Sequence, residues 1–192
     1  MREISQHKPI TEQRQPEIER AQAGDQTAMH QLYTHYMVAM LNTSFRILNN
    51  KEDAEDALQE AFIKAFSSLH QFNYQSTFGA WLKRIVVNHS IDQLKKKRKV
   101  AFTDGDDLLV MELPAEEPVP ENNLQEKLDR LYQGLHQLPD GYRTVLSLYL
   151  LEGYDHTEIS EILNIEVSTS ISQLSRAKKK LKSLTVKGAT HG

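Results

Sequence analysis

The feature that most constrains the fold of this chain is a segment near its middle that carries acids and no cations. Residues 101–123 contain seven Asp or Glu, no Lys or Arg, and three prolines, with neither helical nor strand periodicity. Residues 1–100 carry 14 cations against 11 acids, and residues 124–192 carry nine against eight. Such a segment predicts a flexible linker between two folded units. The predicted boundaries are a mobile tail over 1–19, a first domain over 20–99, the linker over 100–123, a second domain over 124–187 and a tail over 188–192.

The residue types present exclude several classes of protein. The 192 residues contain no cysteine, no apolar N-terminal signal segment and no apolar run that approaches the length of a membrane span. Without cysteine there are no disulfides, thiolate metal sites or thiol nucleophiles. We therefore expect a cytoplasmic protein, and each unit is large enough to bury a core of its own.

The sequence also lacks the signatures of common catalytic sites. Its eight histidines are scattered, and His156-Thr157-Glu158 does not have the His-Glu-x-x-His spacing of a zinc site. It contains neither a phosphate-binding glycine loop nor a nucleophile elbow. We expect no enzymatic activity, no catalytic residue, no metal site and no cofactor.

Helical periodicity predicts a bundle of four helices in the first unit. The first helix follows Pro16 and ends near Gly24, and Asp25 is placed to cap a second helix over about 27–48. The third helix, about 53–69, has a continuous apolar stripe and an opposite polar face. That face consists of Asp53, Glu55, Asp56, Gln59 and Glu60. A soluble first turn that suits the helix dipole would explain it as well as a binding surface would.

A polar loop with aromatic residues precedes the fourth helix, which we expect over about 76–99. The loop runs Phe72-Asn73-Tyr74-Gln75-Ser76-Thr77-Phe78, and the helix ends in Lys95-Lys96-Lys97-Arg98-Lys99. Flat rings beside a row of cations suit the binding of unstacked bases and their phosphates. We expect Tyr74 and Phe78 to be exposed and Trp81 to face the bundle. The alternative explanation of the cations is a solvated helix end.

The second unit has the pattern of a helix-turn-helix. Apolar residues at helical spacing predict one helix before Pro139 and another after it. Asp155 and Glu158 form a capping-box pattern that opens a short helix. A turn at Asn164-Ile165 leads into a last helix over about 167–184, polar at its start and cationic later. Such a helix suits the major groove of DNA, although an ordinary antiparallel helix pair would share this pattern.

Four motifs, taken in their order and spacing, resemble a known family. They are Asp53-Ala54-Glu55-Asp56-Ala57-Leu58-Gln59-Glu60-Ala61-Phe62, then Phe78-Gly79-Ala80-Trp81-Leu82-Lys83-Arg84-Ile85 with Asn88 and Asp92, then Leu138-Pro139-x-x-Tyr142-Arg143, and last Glu158-Ile159-Ser160-Glu161-Ile162-Leu163 with Leu174-Ser175-Arg176-Ala177-Lys178. Over about residues 20–184 the chain resembles the extracytoplasmic-function (ECF) sigma factors of bacterial RNA polymerase. The resemblance implies an all-α fold of two small helical domains. The first is sigma region 2, a helical bundle, and the second is sigma region 4, a helix-turn-helix.

The resemblance also implies three sets of site residues. The positions that match the contacts to the clamp helices of the largest polymerase subunit are Asp56, Gln59 and Glu60. The positions that match the part that recognises and melts the minus-ten promoter element are Asn73, Tyr74, Gln75, Ser76, Phe78, Arg84, Asn88, Lys95 and Lys96. The positions assigned to the reader of the minus-thirty-five element are Thr169, Ile171, Ser172, Gln173, Arg176 and Lys179.

By the same resemblance, the chain is a promoter-specificity subunit whose partners are core RNA polymerase, promoter DNA in duplex and melted form, and an anti-sigma factor, with no direct insertion into a membrane. The linker corresponds to the segment that threads the polymerase cleft toward the RNA exit path, where its acids would imitate nucleic-acid charge. Neutralising those acids should then alter abortive transcription. The alternative function is a free-standing helix-turn-helix regulator that binds duplex DNA as a dimer.

Two positions in the last helix depart from the family pattern. Ile171 stands where the family usually has Lys or Arg on the outward face, and Glu166 stands where it usually has a capping Ser. Either Ile171 faces outward and touches a thymine methyl group, or the helix is rotated so that Val167, Ile171 and Leu174 pack inward. The sequence leaves both arrangements open.

Overall fold

The structure is a computed structural model that describes residues 14–98 and 124–187. Every regular element in these two ranges is helical. The helices are α1 Gln15–Gln22, α2 Gln26–Leu48, α3 Lys51–Ser67, the 3-10 helix Leu69–Gln71, α4 Phe78–Arg98, α5 Leu124–His136, α6 Asp140–Leu150, α7 His156–Leu163 and α8 Val167–Lys187. The predicted all-α fold is confirmed. The predicted linker over 100–123 and the tail over 188–192 lie outside the described residues, whereas the end of the predicted tail over 1–19 belongs to α1.

Two compact units divide between Gln93 and Leu94, so the last turn of α4 falls in the second unit. This division lies a few residues before the predicted end of the first domain. The boundaries of the predicted domains therefore stay predictions.

Side chains at the helix ends explain how the first unit folds back on itself. The Asp25 carboxylate accepts hydrogen bonds from the amides of Thr27 and Ala28 at 2.8 and 3.3 Å, which caps α2 as predicted. Asn49 ends α2 with a left-handed backbone, φ 54°. The side chain of the next residue, Asn50, accepts from the Asp53 amide at 3.0 Å and caps α3. Two adjacent asparagines thus reverse the chain, and α2 packs against both α1 and α3.

Small residues on α3 form the centre of the first core. The buried stripe of this helix is Ala54, Ala57, Leu58, Ala61, Phe62 and Ala65. Alanines let neighbouring helices approach closely, because the distance between helix axes depends on the side chains at the contact. Ile18, Leu32 and Leu82 come from α1, α2 and α4 and are completely buried. Each such side chain contributes roughly 1.5–3 kcal/mol through the hydrophobic effect.

The centre of the second unit is α6, whose residues 142–148 are all buried. It packs against α7 and α8, and α5 also lies on α8. Arg143 is fully buried, donates from Nη1 to the Leu138 carbonyl oxygen at 2.9 Å and forms an ion pair with Asp140. These contacts close the turn between α5 and α6, and they provide the partners that a buried charge requires. The Leu-Pro-x-x-Tyr-Arg motif therefore has a structural role in this turn.

Candidate nucleic-acid interface

The outer side of α3 carries the polar row predicted from the sequence. Asp56, Gln59 and Glu60, called the α3 row below, are all exposed. Their spacing of three and four residues places them side by side on the helix, opposite the alanine-rich stripe. Glu60 Oε2 lies 2.7 Å from Nε2 of His89 on α4, so one end of the row is tied to the neighbouring helix.

An apolar residue that the sequence analysis missed extends the α3 row. Ile63 is 70% exposed and follows Gln59 and Glu60 by four and three residues, which places it on the same side of α3. The sequence places Ile63 outside the apolar stripe of α3, and this position could have revealed its exposure. Single exposed apolar residues are common on protein surfaces, so the interest of Ile63 lies in its place beside two carboxylates and an amide.

One side chain from α1 holds the loop that precedes α4. Gln22 donates from Nε2 to the carbonyl oxygens of Leu69 and Phe72 at 3.0 and 2.9 Å. Its Oε1 accepts a hydrogen bond from the Tyr74 hydroxyl at 3.1 Å. Tyr74 has a left-handed backbone, φ 59°, which is uncommon for a bulky residue and persists only where the surroundings enforce it. Gln22 and the Phe72 ring, 4.8 Å from that of Tyr74, provide those surroundings.

The remaining loop side chains form a polar surface. Asn73 and Gln75 are exposed and Ser76 is partly exposed. The Asn73 Oδ1 accepts from the Gln75 amide at 3.3 Å, which tightens the turn. Tyr74 is half-buried, so the expectation of a fully exposed ring is not met at this position. The loop therefore presents amides and hydroxyls beside one half-buried ring.

The expectation that Phe78 is exposed is wrong. Phe78 is the first residue of α4, and its side chain is completely buried. Its ring packs against those of Tyr36, Phe72 and Trp81, with centroid distances of 5.2, 5.8 and 5.7 Å. A ring in this position anchors the start of α4 beneath the loop and cannot contact DNA. Trp81 is half-buried against the same cluster, as predicted for a residue that faces the bundle.

The outward side of α4 presents polar residues at intervals of four. Arg84, Asn88 and Lys96 are exposed, and Lys95 is half-buried. Asp92 lies in the same row and is also exposed, so the row is not uniformly positive. Of the predicted cationic end, Lys99 lies outside the described residues.

The helix-turn-helix begins at a capping box that the sequence predicts. The Asp155 carboxylate accepts from the Glu158 amide at 2.8 Å, and the Glu158 carboxylate accepts from the Asp155 amide at 2.9 Å. Asn164 ends α7 with a left-handed backbone, φ 58°. The tight turn leads directly into Val167, where α8 begins.

The buried side of α8 corrects part of the predicted DNA-reading set. It consists of Ser170, Gln173, Leu174 and Ala177. Gln173 therefore faces the core and cannot read bases, although its polar side chain at a helix surface had suggested otherwise. Its Oε1 has no hydrogen-bond partner among the residues that the structure describes. Leu174 packs inward, as one of the two predicted arrangements requires.

The exposed side of α8 settles which arrangement applies. It consists of Val167, Ser168, Ile171, Ser175, Lys178, Lys179 and Lys182. Val167 and Ile171 are 39% and 51% exposed, so a rotation that buries them is wrong. Of the predicted set, Ile171 and Lys179 are exposed, and Thr169, Ser172 and Arg176 are half-buried. Ser168, Ser175 and Lys178 were not in that set, although helical periodicity places them on the side of Ile171.

Contacts between three helices fix the orientation of α8. The Oγ of buried Ser170 lies 2.9 Å from Nδ1 of His156, the first residue of α7. The His156 ring stacks on that of Tyr149 from α6, with centroids 4.6 Å apart. Lys178 Nζ lies 5.8 Å from the centroid of the Tyr149 ring, at the distance of a cation–π contact.

Comparison with known proteins identifies both units. Residues 32–100 match the family model of Sigma-70 region 2, and residues 128–181 match that of Sigma-70, region 4. The chain is also 33% identical over 173 residues to the ECF RNA polymerase sigma factor SigW of Bacillus subtilis, which covers 86% of this chain and 92% of the relative. The chain belongs to the ECF sigma factor family.

A second relative agrees with this assignment, and a solved structure shares the fold. The ECF RNA polymerase sigma-E factor of Haemophilus influenzae is 31% identical over 169 residues, which cover 84% of this chain and 89% of the relative. The sigma factor RpoE from Bartonella quintana, crystallised with the anti-sigma factor NepR, shares the fold with a TM-score of 0.54. That pair is 24% identical and covers 81% of this chain and 94% of the other.

As an ECF sigma factor, the chain directs promoter-specific transcription initiation. A free-standing helix-turn-helix regulator is not favoured, because it would leave the match to Sigma-70 region 2 without a function. Sigma factors as a class are not enzymes. Among the helices of the described ranges, none has the length and apolar character needed to cross a membrane.

Proposed function

We propose that this sigma factor binds core RNA polymerase through the α3 row, opens promoter DNA with the loop and α4, and reads an upstream element with α8. The observation that carries the proposal is the α3 row, whose exposed carboxylates lie within the segment that matches Sigma-70 region 2. Phosphates repel such a surface. Its partner is therefore a protein, and the DNA is bound elsewhere on the chain.

The side chains of the α3 row indicate which kind of partner surface would bind it. Asp56 and Glu60 favour a partner with cations, Gln59 can donate and accept hydrogen bonds, and Ile63 adds an apolar contact at the end of the row. The link from Glu60 to His89 restricts one carboxylate before binding. A side chain ordered in this way loses less conformational freedom on association.

The loop and α4 are suited to hold a melted strand at the minus-ten element. Asn73, Gln75 and Ser76 provide hydrogen-bonding groups for an unstacked base. Arg84 and Lys96 provide charge for the sugar-phosphate backbone. Exposing a base costs a few kcal/mol of stacking. Because the hydrogen bonds of Gln22 already hold the loop, binding the base adds only a small further cost in conformational entropy. Phe78 has no part in these contacts.

The exposed side of α8 is suited to the major groove at the minus-thirty-five element. In a helix-turn-helix the start of the second helix contacts base edges, and later cations meet phosphates. Ser168 and Ile171 lie at the start of α8, whereas Lys178, Lys179 and Lys182 lie in its second half. Three half-buried residues border this exposed side and can also reach the groove: Thr169, Ser172 and Arg176.

The proposal includes the setting in which the chain works. It acts in the cytoplasm, without catalysis of its own, without a metal or other cofactor and without insertion into a membrane. An anti-sigma protein is a further proposed partner, since the related RpoE was crystallised with one. The linker over 100–123, outside the described residues, keeps its proposed place in the polymerase cleft.

Reconstitution with core polymerase tests this function. Run-off transcription from a linear promoter is expected only when the chain and core polymerase are both present. The double variant Arg84→Ala with Asn88→Ala should retain polymerase binding and lose promoter opening. The matched variant Lys127→Ala with Gln133→Ala, on the exposed side of α5, should retain both. Sequence-specific binding to duplex DNA without any polymerase association would instead support the free-standing regulator.

A further inference from the structure

Two aliphatic side chains stand on the exposed side of α8 at the place where base contacts are expected. Val167 and Ile171 are one helical turn apart and are 39% and 51% exposed. Lys178 lies seven residues beyond Ile171, about 10 Å further along the helix. The surface is therefore apolar at its start and cationic two turns later.

The packing of α8 keeps these side chains outward. Leu174 and Ala177 are buried on the opposite side, and the hydrogen bond of Ser170 to His156 lies there as well. Turning Ile171 inward would expose those apolar side chains and break that bond. The outward position of Ile171 thus follows from the fold of the helix-turn-helix rather than from the freedom of one side chain.

The order of apolar and charged groups indicates which part of DNA the apolar pair meets. Lys178, Lys179 and Lys182 complement phosphates, so the same side of α8 faces the duplex. Glu166, exposed just before α8, is repelled by phosphates, which disfavours placing this end of the helix against the sugar-phosphate backbone. Among the groups at base edges in the major groove, the thymine methyl is the apolar one.

We propose that Ile171, assisted by Val167, reads thymine methyl groups in the upstream promoter element, so that this sigma factor prefers thymine where a cation at this position would prefer guanine. The inference rests on the proposed function of α8. Uracil is the sharpest probe of it, because deoxyuridine differs from thymidine only by the missing methyl group. Loss of one methyl contact corresponds to about fourfold weaker binding.

The experiment uses holoenzyme reconstituted from the full chain and core polymerase. A promoter is first selected with the wild-type holoenzyme, and each upstream thymine is then replaced singly by deoxyuridine. Formation of competitor-resistant complexes is titrated for the wild type, Ile171→Ala and Ile171→Val. Leu150→Ala is the matched control, since Leu150 is an aliphatic residue of the same unit with 50% exposure.

At one or two upstream positions, deoxyuridine should weaken the wild-type, Ile171→Val and Leu150→Ala complexes about fourfold. The Ile171→Ala complex, which retains only the assisting contact of Val167, should be weakened less. An upstream element without thymine, or equal binding of thymine and uracil at every position, overturns the inference while open complexes still support the proposed function. An Ile171→Ala complex as sensitive to uracil as the wild type also overturns it, as does loss of the response in Leu150→Ala. A wild-type holoenzyme that opens no promoter rejects the proposed function and the inference with it.

Discussion

At the scale of single residues, Gln22 has the widest effect on the candidate site. Its three hydrogen bonds join α1 to both ends of the 3-10 helix and to the loop before α4. Nothing in the local sequence marks it, because its partners lie 47 to 52 residues further along the chain. Its role follows only from the packing of α1 against the rest of the bundle.

The first prediction is that Gln22→Ala loosens the loop. The variant should lower the free energy of unfolding of the first unit by about 2 kcal/mol, since net contributions of partly buried hydrogen bonds are near 1 kcal/mol each or less. It should reduce promoter opening more than polymerase binding. Urea unfolding measures the stability, and core-polymerase binding and open-complex assays measure the functional losses, with Gln26→Ala on the exposed start of α2 as control. Equal losses of polymerase binding and promoter opening, or unchanged stability, would contradict the role of Gln22.

A second prediction concerns His136 at the end of α5. Burial, and next the charge of the Arg143 guanidinium, lower the pKa of His136 below its usual 6.5. As the pH falls through about 6.5, the unfolded chain takes up a proton on this residue before the folded chain does. The stability associated with neutral His136 is therefore fully present above that pH and declines below it.

The variant His136→Gln should flatten this decline. Urea unfolding of the second unit at several pH values between 5 and 8 measures it. The wild type should lose more stability than the variant between pH 7 and pH 5, so that their difference changes with pH. Two curves that stay parallel over this range would contradict the assignment.

Two residues show where the sequence alone does not predict which side chains are buried. Phe78 follows a polar loop and was expected to be exposed, yet rings from α2 and from the loop bury it. Gln173 was expected outside because it is polar, although it follows buried Ser170 by three residues and precedes buried Ala177 by four. In each case long-range packing set the position, and residue type alone did not reveal it.

At the scale of helices, what depends on local hydrogen bonding was predictable. Asp25 and the pair Asp155–Glu158 were identified as caps from the sequence, and both caps are present. The α3 row was also predictable, since the buried stripe defines the opposite side of the helix. The rotation of α8 was not, because its first two turns contain both apolar and polar residues on each side.

The capping box provides a prediction for α7. Replacing Asp155 by alanine should lower the free energy of unfolding of the second unit by about 1 kcal/mol. Because His156 begins α7 and contacts Ser170, the change should also weaken upstream DNA binding. Asp155→Ser should restore most of both properties, and Thr157→Ala, at an exposed neighbour, should leave them unchanged. Chemical unfolding and filter binding measure them, and an alanine variant as stable as the serine variant would contradict the prediction.

At the scale of the whole molecule, surfaces of different charge suit different partners. The first unit separates an anionic row on α3 from polar and cationic groups in the loop and along α4. In the second unit, the exposed side of α8 presents the cations Lys178, Lys179 and Lys182. A chain with a net charge of −3 can therefore bind DNA, because the charges are arranged by surface rather than averaged.

Whether the α3 row binds core RNA polymerase is best tested by the affinity for that enzyme of the triple variant Asp56→Ala, Gln59→Ala, Glu60→Ala. Its control is Glu126→Ala, Asp129→Ala, Gln133→Ala on α5, which removes the same two charges and one amide from exposed positions in the other unit. Because a few central contacts carry most of the binding energy of an interface, the first variant should bind at least about tenfold more weakly than the wild type. The control should stay within about twofold. Equal affinity of the α3 variant and the wild type would contradict the account.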